Sequence, residues 1–281
     1  MTDFLRPSFQ VTHFSDFESI PAADIIVFLK FLPSVGVLAR VSQQARVVFM
    51  PVDIFGSCGE IDENAERLQH VALTIVHSRR LSRYFSAYCN VEYLDHPLNF
   101  TLNSPRRTTE SGPLIWIGQQ CNLAPVIDWL NSDRSVREVW ILTNFPDDLN
   151  ISDIEKDLIR SRVRIEQWTP ASHMRYLELA TAAIDIKGND FRSRNKPPAK
   201  SFDFAASGIP VIVSRGSSAD YDFGHIKYTP LYSDSWQVKL DDDYRQYVYD
   251  KAFPLRNFLN AEYVWTQLRE ALERELDRVS S

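Results

Sequence analysis

The chain has 281 residues, with 31 Lys plus Arg against 37 Asp plus Glu, for a formal net charge of −6. Its 44% hydrophobic and 24% charged residues are those of a globular chain, not a disordered or fibrous one, and the acidic total argues against a nucleic-acid binder. Three cysteines without a CxxC pair support neither a disulfide framework nor a structural zinc site, and no apolar run approaches the roughly 20 residues of a bilayer span.

Short apolar, β-branched runs alternate with segments of helical period along the chain. The runs lie at 24–29, 46–50, 73–76, 91–94, 114–117, 139–142, 163–165, 183–186 and 210–213. Helices are predicted at 62–70, 78–88, 124–131, 152–160, 171–180 and 199–207, and a long one at 261–279. Continuous apolar runs, each followed by a helical segment, mark parallel strands buried on both faces. The pattern therefore predicts a doubly wound α/β fold. The stretch 99–113 (NFTLNSPRRTTESGP) lacks apolar periodicity and reads as a linker. None of the nine glycines falls in a dinucleotide fingerprint or a P-loop.

The segment 185–214, DIKGNDFRSRNKPPAKSFDFAASGIPVIVS, carries the chemistry. Within 187–200, five basic residues (Lys187, Arg192, Arg194, Lys196 and Lys200) stand against one acid, Asp190, in an otherwise acidic chain. The island follows a strand and runs into a helix, where open α/β sheets bind ligands and where helix N-termini favour anions. A diphosphate suits such a place; a solvated basic loop is the bland reading of the same residues.

KPPAKSFDFAASGIPVIVS resembles the carboxyl-terminal nucleotide-sugar domain of GT-B glycosyltransferases, the group that includes the glycosyltransferase family 4 enzymes. Lys200, Asp203, Phe204, Ala206, Gly208, Pro210 and Val211 occupy its motif positions. LIWIGQQCNL resembles the strand and glycine turn that open this domain, with Gly118 at the turn. RIEQWTPASHMRYLELATAAIDI resembles its strand, Trp, helix and second strand, and His173, in the helix after Trp168, either caps that helix or approaches the donor site. The resemblance implies that Asp203, where the family usually has Glu, holds the donor ribose. It implies that Lys200, Arg194 and Arg192 neutralise the leaving diphosphate, and that Gly208 permits close helix–strand packing. The position eight residues before Asp203, often Glu in the family, is Asn195.

Residues 24–98 resemble the amino-terminal half of such enzymes more faintly and are shorter than the family norm. Asp53, just past a strand, is the candidate catalytic residue; His77 and His96 are further candidates for a base. The expected architecture is thus two Rossmann-like, doubly wound α/β domains facing across a cleft, GT-B-like, with the first reduced. The expected boundaries are 1–108, 109–260 and a closing helix at 261–281. The implied activity is metal-independent transfer of a sugar from a nucleotide-diphosphate sugar to an acceptor hydroxyl, such as that of a glycan. No cofactor and no metal are implied. The cytoplasm is the expected location, since the N-terminus MTDFLRPSF shows no signal segment. A peripheral membrane contact, through the stretch RRLSRY at 79–84, or a partner subunit is a further expectation.

Two other readings compete. Asp220, Asp222 and Asp241–Asp243 invite a metal-dependent GT-A site, although neither cluster follows a convincing strand. A nucleotide-sugar-binding or scaffold protein without transfer chemistry is favoured by the short first domain and by Asn195.

Overall fold

The computed structural model describes residues 2–132, 137–145 and 163–278. The helix expected at 152–160 lies outside the described residues. The chain divides into two compact units, one comprising Met1–Pro97, Asp190–Pro197 and Leu259–Ser281, the other Leu98–Asn189 and Pro198–Phe258.

The first unit runs α1 (Thr2–Leu5), β1 (Ile25–Leu29), α2 (Val35–Ser42), β2 (Arg46–Met50), α3 (Cys58–Asp62), α4 (Ala65–Leu68), β3 (Leu73–Val76), α5 (Arg79–Phe85) and β4 (Asn90–Tyr93). Its four strands are parallel and lie in chain order, β1-β2-β3-β4. A doubly wound sheet reverses direction part-way; this one keeps a single winding, which is the form the reduction takes. Side chains alternate between faces along each strand. Val47 and Phe49 of β2 therefore join Ile26, Phe28, Leu38, Val41, Ile61, Leu68, Leu81 and Phe85 on one side. Val48 and Met50 join Leu73, Ile75, Leu5, Val264, Leu268 and Leu272 on the other.

The second unit runs β5 (Leu114–Gln119), α6 (Ala124–Ser132), β6 (Val139–Asn144), β7 (Val163–Gln167), α7 (Pro170–Leu179) and β8 (Ala182–Asp185). The short α8 (Phe191–Asn195) belongs to the first unit. There follow α9 (Ala199–Ala206), β9 (Val211–Val213), α10 (Ser218–His225), β10 (Leu231–Tyr232), α11 (Trp236–Lys239) and α12 (Asp242–Phe258). The closing α13 (Ala261–Asp277) is again part of the first unit. The six parallel strands lie in the order β10-β9-β8-β5-β6-β7. From β5 the chain winds outward through β6 and β7, then returns to β8 on the other side of β5. The switch point of this doubly wound sheet is thus the β5/β8 boundary, where Leu114 pairs with Ala182 and Ile115 with Ala183.

Every strand expected from the apolar runs is present, shifted by at most a few residues, and β10 is added. The helix read across 62–70 is two short helices, α3 and α4. The stretch 99–113 is not a loose linker. The Leu102 amide donates to Ser207 Oγ at 3.1 Å, the Arg106 amide to Ser207 O at 3.1 Å, and Arg106 Nε to Leu177 O at 3.1 Å. Leu102 and Thr108 are buried. A buried segment without strand or helix must satisfy its backbone groups elsewhere, and the end of α9 supplies the acceptors here.

Candidate functional site

In the second unit the site is built around α9, which enters through Pro197–Pro198 and buries Phe202, Asp203, Phe204, Ala205 and Ala206. It ends in a Schellman motif: the Ile209 amide donates to Phe204 O and the Gly208 amide to Ala205 O, both at 3.0 Å. Gly208 sits at φ +79°, and a Cβ there would lie 2.2 Å from Arg106 O. Gly208 is therefore demanded by backbone conformation and by a close neighbour. At the end of β5 a Cβ on Gly118 would meet the Trp116 ring at 2.4 Å.

Lys200, in the first turn of α9, donates from Nζ to Ile117 O at 3.0 Å. That carbonyl lies near the C-terminal end of β5, so the ammonium stands over the switch point, where open parallel sheets take their ligands. At the neighbouring strand end Asp185 is buried, 2.7 Å from Lys187 Nζ, and accepts a hydrogen bond from Ser201 Oγ. Burial alone would raise the Asp185 carboxyl; Lys187, the Ser201 hydroxyl and Lys200 outweigh it and hold it below its usual value. The Lys187 amide also donates to Ser214 Oγ at 3.1 Å, which ties the ends of β8 and β9 together. Lys187 thus closes a strand-end network, while Lys200 is solvent-exposed.

His173 lies on α7, whose N-terminus is closed by a Thr169–Ser172 capping box. Trp168 Nε1–H can only donate, and it points to His173 Nδ1 at 3.1 Å. The proton of the neutral ring is therefore on Nε2, which is buried and has no partner among the described residues. Burial, with Lys200 adding, pushes the His173 pKa down to about 4. Phe100 stacks on the imidazole at 4.8 Å and meets Trp168 edge-on at 5.8 Å. Asp203 is 4% exposed. Its carboxylate accepts from the Asn99 amide at 2.9 Å and from the Phe100 amide. Burial raises its pKa to about 7, against the pull of those two amides and of Lys200. Asp203 thus holds the 99–100 backbone, and through it the Phe100 ring.

The remaining sequence candidates lie in the first unit. Asp53, just past β2, has a left-handed backbone at φ +52° and pairs with Lys196 Nζ at 3.5 Å. Arg192 and Arg194 lie on α8, whose N-terminus is capped by Asp190 Oδ1 accepting from the Ser193 amide at 2.8 Å. Phe191 anchors that turn on Tyr84, 4.9 Å away. The structure therefore gathers Gly118, His173, Lys200, Asp203 and Gly208 in one unit, and Asp53, Arg192 and Arg194 in the other. The basic island, read as one feature along the sequence, is shared between them. Sequence reasoning passed over Asp185, Ser201 and Phe100. The acid and base two apart at a strand end, Asp185 and Lys187, were the available signal for the first; nothing local flagged Phe100.

No protein-family model and no curated sequence matches the chain. Among solved structures, the trehalose 6-phosphate synthase of Burkholderia multivorans superposes with a TM-score of 0.62 at 11% identity, over 93% of this chain and 73% of that one. A UDP-forming trehalose-phosphate synthase from Burkholderia xenovorans, in complex with glucose-6-phosphate, gives 0.59 at 12% identity over 92% and 74%. TarM gives 0.57 at 12% identity over 90% and 54%, so the chain spans about half of TarM's length. These are GT-B glycosyltransferases, and the fold seen here is the GT-B-like one with a reduced first unit.

Proposed function

We propose that the chain transfers a sugar from a nucleotide-diphosphate sugar to an acceptor hydroxyl, and that the second unit binds the donor. The observation that carries the reading is the ammonium of Lys200, an exposed residue, held on Ile117 O over the β5/β8 switch point of a GT-B-like sheet. A cation there offsets the charge that grows on a leaving diphosphate. The half-exposed Phe100 ring, braced by Trp168 and His173, supplies an aromatic surface in the same unit on which a base can stack. Structural relatives support the reading through their own chemistry, one being described as UDP-forming and another study of trehalose-6-phosphate synthase as concerning glycosyl transfer with retention.

One observation favours the silent, nucleotide-sugar-binding reading: the Asp203 carboxylate is engaged by the 99–100 amides and is buried. A ribose would have to displace that backbone to reach it. The two readings separate in one experiment. UDP, GDP, ADP, CMP and dTDP are each titrated against the full chain by thermal shift. One nucleoside diphosphate is expected to stabilise by about 2.7 kcal/mol at a hundred times its Kd. Lys200→Ala should weaken it about tenfold, the worth of one charge-assisted hydrogen bond. Unchanged affinity in Lys200→Ala would refute the donor-site assignment. Tight binding of the matching nucleotide sugar with no turnover over a broad acceptor panel would select the silent reading.

A further inference from the structure

The first sheet has two edges that differ in kind. At one edge β4 carries Asn90 and Glu92. At the other, β1 is IIVFL, five apolar residues with no charge and no proline. The Arg46 amide donates to Asp24 O and the Lys30 amide to Met50 O, so residues 24, 26, 28 and 30 face β2. Ile25, Val27 and Leu29 therefore aim their amides away from the sheet, and those amides have no acceptor among the described residues. The chain entering β1 supplies none. It passes from the face of Phe9 and Val11 to the face of Phe14 and Ile20 without a backbone hydrogen bond to this edge. Leu29 is 51% exposed and Phe31, just beyond the strand, 63%. An open apolar edge is a template for another strand, and proteins that keep an edge single blunt it with charge, proline or a bulge. None of these lies within β1.

The residues flanking β1 select the occupant. Asp24 precedes the strand and Lys30 follows it; both are exposed, and neither side chain has an ion pair or hydrogen bond among the described residues. In an antiparallel pair of identical strands centred on Val27, Val27 faces Val27, Ile25 faces Leu29 and Asp24 faces Lys30. The twofold axis makes that oppositely charged contact twice. A register moved by two residues either way would set Asp24 opposite Phe28 or Leu32 and lose the match.

We propose that the chain forms a twofold dimer in which β1 pairs antiparallel with β1 of a second copy, joining two four-stranded sheets into one. Val27 exchanges both backbone hydrogen bonds with Val27 of the second copy. The Leu29 amide donates to the Ile25 carbonyl across the axis, while the Leu29 carbonyl keeps the Phe31 amide it already accepts at 2.8 Å. Asp24 of each copy pairs with Lys30 of the other. The proposal concerns the first unit only and does not depend on the donor reading of the second.

The test is sedimentation velocity of the full chain from micromolar to millimolar concentration, which should show a monomer–dimer equilibrium. Asp24→Lys should raise the dimer dissociation constant about tenfold, since symmetry turns one substitution into two repulsive pairs. Lys30→Asp should do the same, aspartate being tolerated by the left-handed backbone at φ +66° there. The double variant, Asp24→Lys with Lys30→Asp, restores both pairs in reverse and should return the constant to its parental value. Hydrogen exchange gives a second readout: the Ile25, Val27 and Leu29 amides should exchange slowly at high concentration and fast at low. A monomer at every concentration overturns the proposal. So does a dimer indifferent to the single reversals, or one that the double variant fails to rescue, either of which would put the contact on another surface. Protection of the three amides that does not change with concentration overturns it as well, and would mean that the segment before β1 covers the edge itself.

Discussion

At the scale of single residues, three buried titratable groups pull stability in opposite directions with pH. Asp203 has its pKa raised to about 7 by burial. The folded chain therefore keeps a proton on it over a range where the unfolded chain has lost it. The resulting contribution is full below about pH 4 and disappears as pH rises through 7. His173 and His77, both pushed down to about 4 by burial, act the other way: their contribution is present above about pH 6.5 and is lost as pH falls toward 4. The variant Asp203→Asn keeps an oxygen for the Asn99 amide and removes only the first effect. Its stability relative to the parent should improve by roughly 2–3 kcal/mol between pH 5 and pH 8. Melting curves across that range check the point, and a constant offset between the two proteins would refute it. The same residue shows how a motif position takes its meaning from its surroundings. Along the sequence Asp203 is an acid in a helix, whereas in the fold it is a clasp on the backbone of residues 99–100.

At the scale of elements, the α9-to-β9 turn is the most constrained connection in the second unit. Its Schellman closure requires the left-handed conformation of Gly208, and the adjoining strand of backbone at Arg106 leaves no room for a methyl group. Substituting Gly208→Ala should cost about 2 kcal/mol or more, since the left-handed strain alone amounts to roughly 1–2 kcal/mol and the contact adds to it. Urea denaturation measures this directly; parental stability in the variant would contradict the geometry. The consequence extends to function. The backbone at Leu102 and Arg106 is hydrogen-bonded to Ser207 at the end of α9, and Lys200 is carried in the first turn of that same helix.

At the scale of the whole molecule, the closing helix belongs to the unit at the other end of the sequence. Val264, Leu268, Ala271 and Leu272 recur at helical spacing and pack on Leu73, Ile75, Val48 and Met50. Glu275, 1% exposed, accepts two hydrogen bonds from the Arg46 guanidinium, at 2.7 and 3.1 Å, and one from Arg278. Deleting residues 259–281 removes one covering layer of the first sheet and leaves Arg46 without its acid. Hydrogen exchange should then show amides of β1–β3 losing protection while those of β5, β6 and β8, which have their own core, retain theirs. Equal loss in both sheets, or none, would contradict the division. Among the described residues, no helix is long and apolar enough to cross a membrane.

The strands were legible in the sequence because parallel strands covered on both faces must be continuously apolar, and a run such as RVVFM or LIWI leaves little else to be. The positions of Lys200 at the start of α9 and of Gly208 at its end were legible too, because strand-end and helix-end chemistry is local. Tertiary structure decided the rest. It alone sent the single run of basic residues from 187 to 200 into two units, since hydrophobic contacts such as Phe191 on Tyr84 act between residues far apart in the chain. It decided that Asp203 faces a backbone and that the last helix completes the first sheet. Periodicity states which residues must be buried. Which partner buries them is settled only when distant segments compete for the same apolar surface.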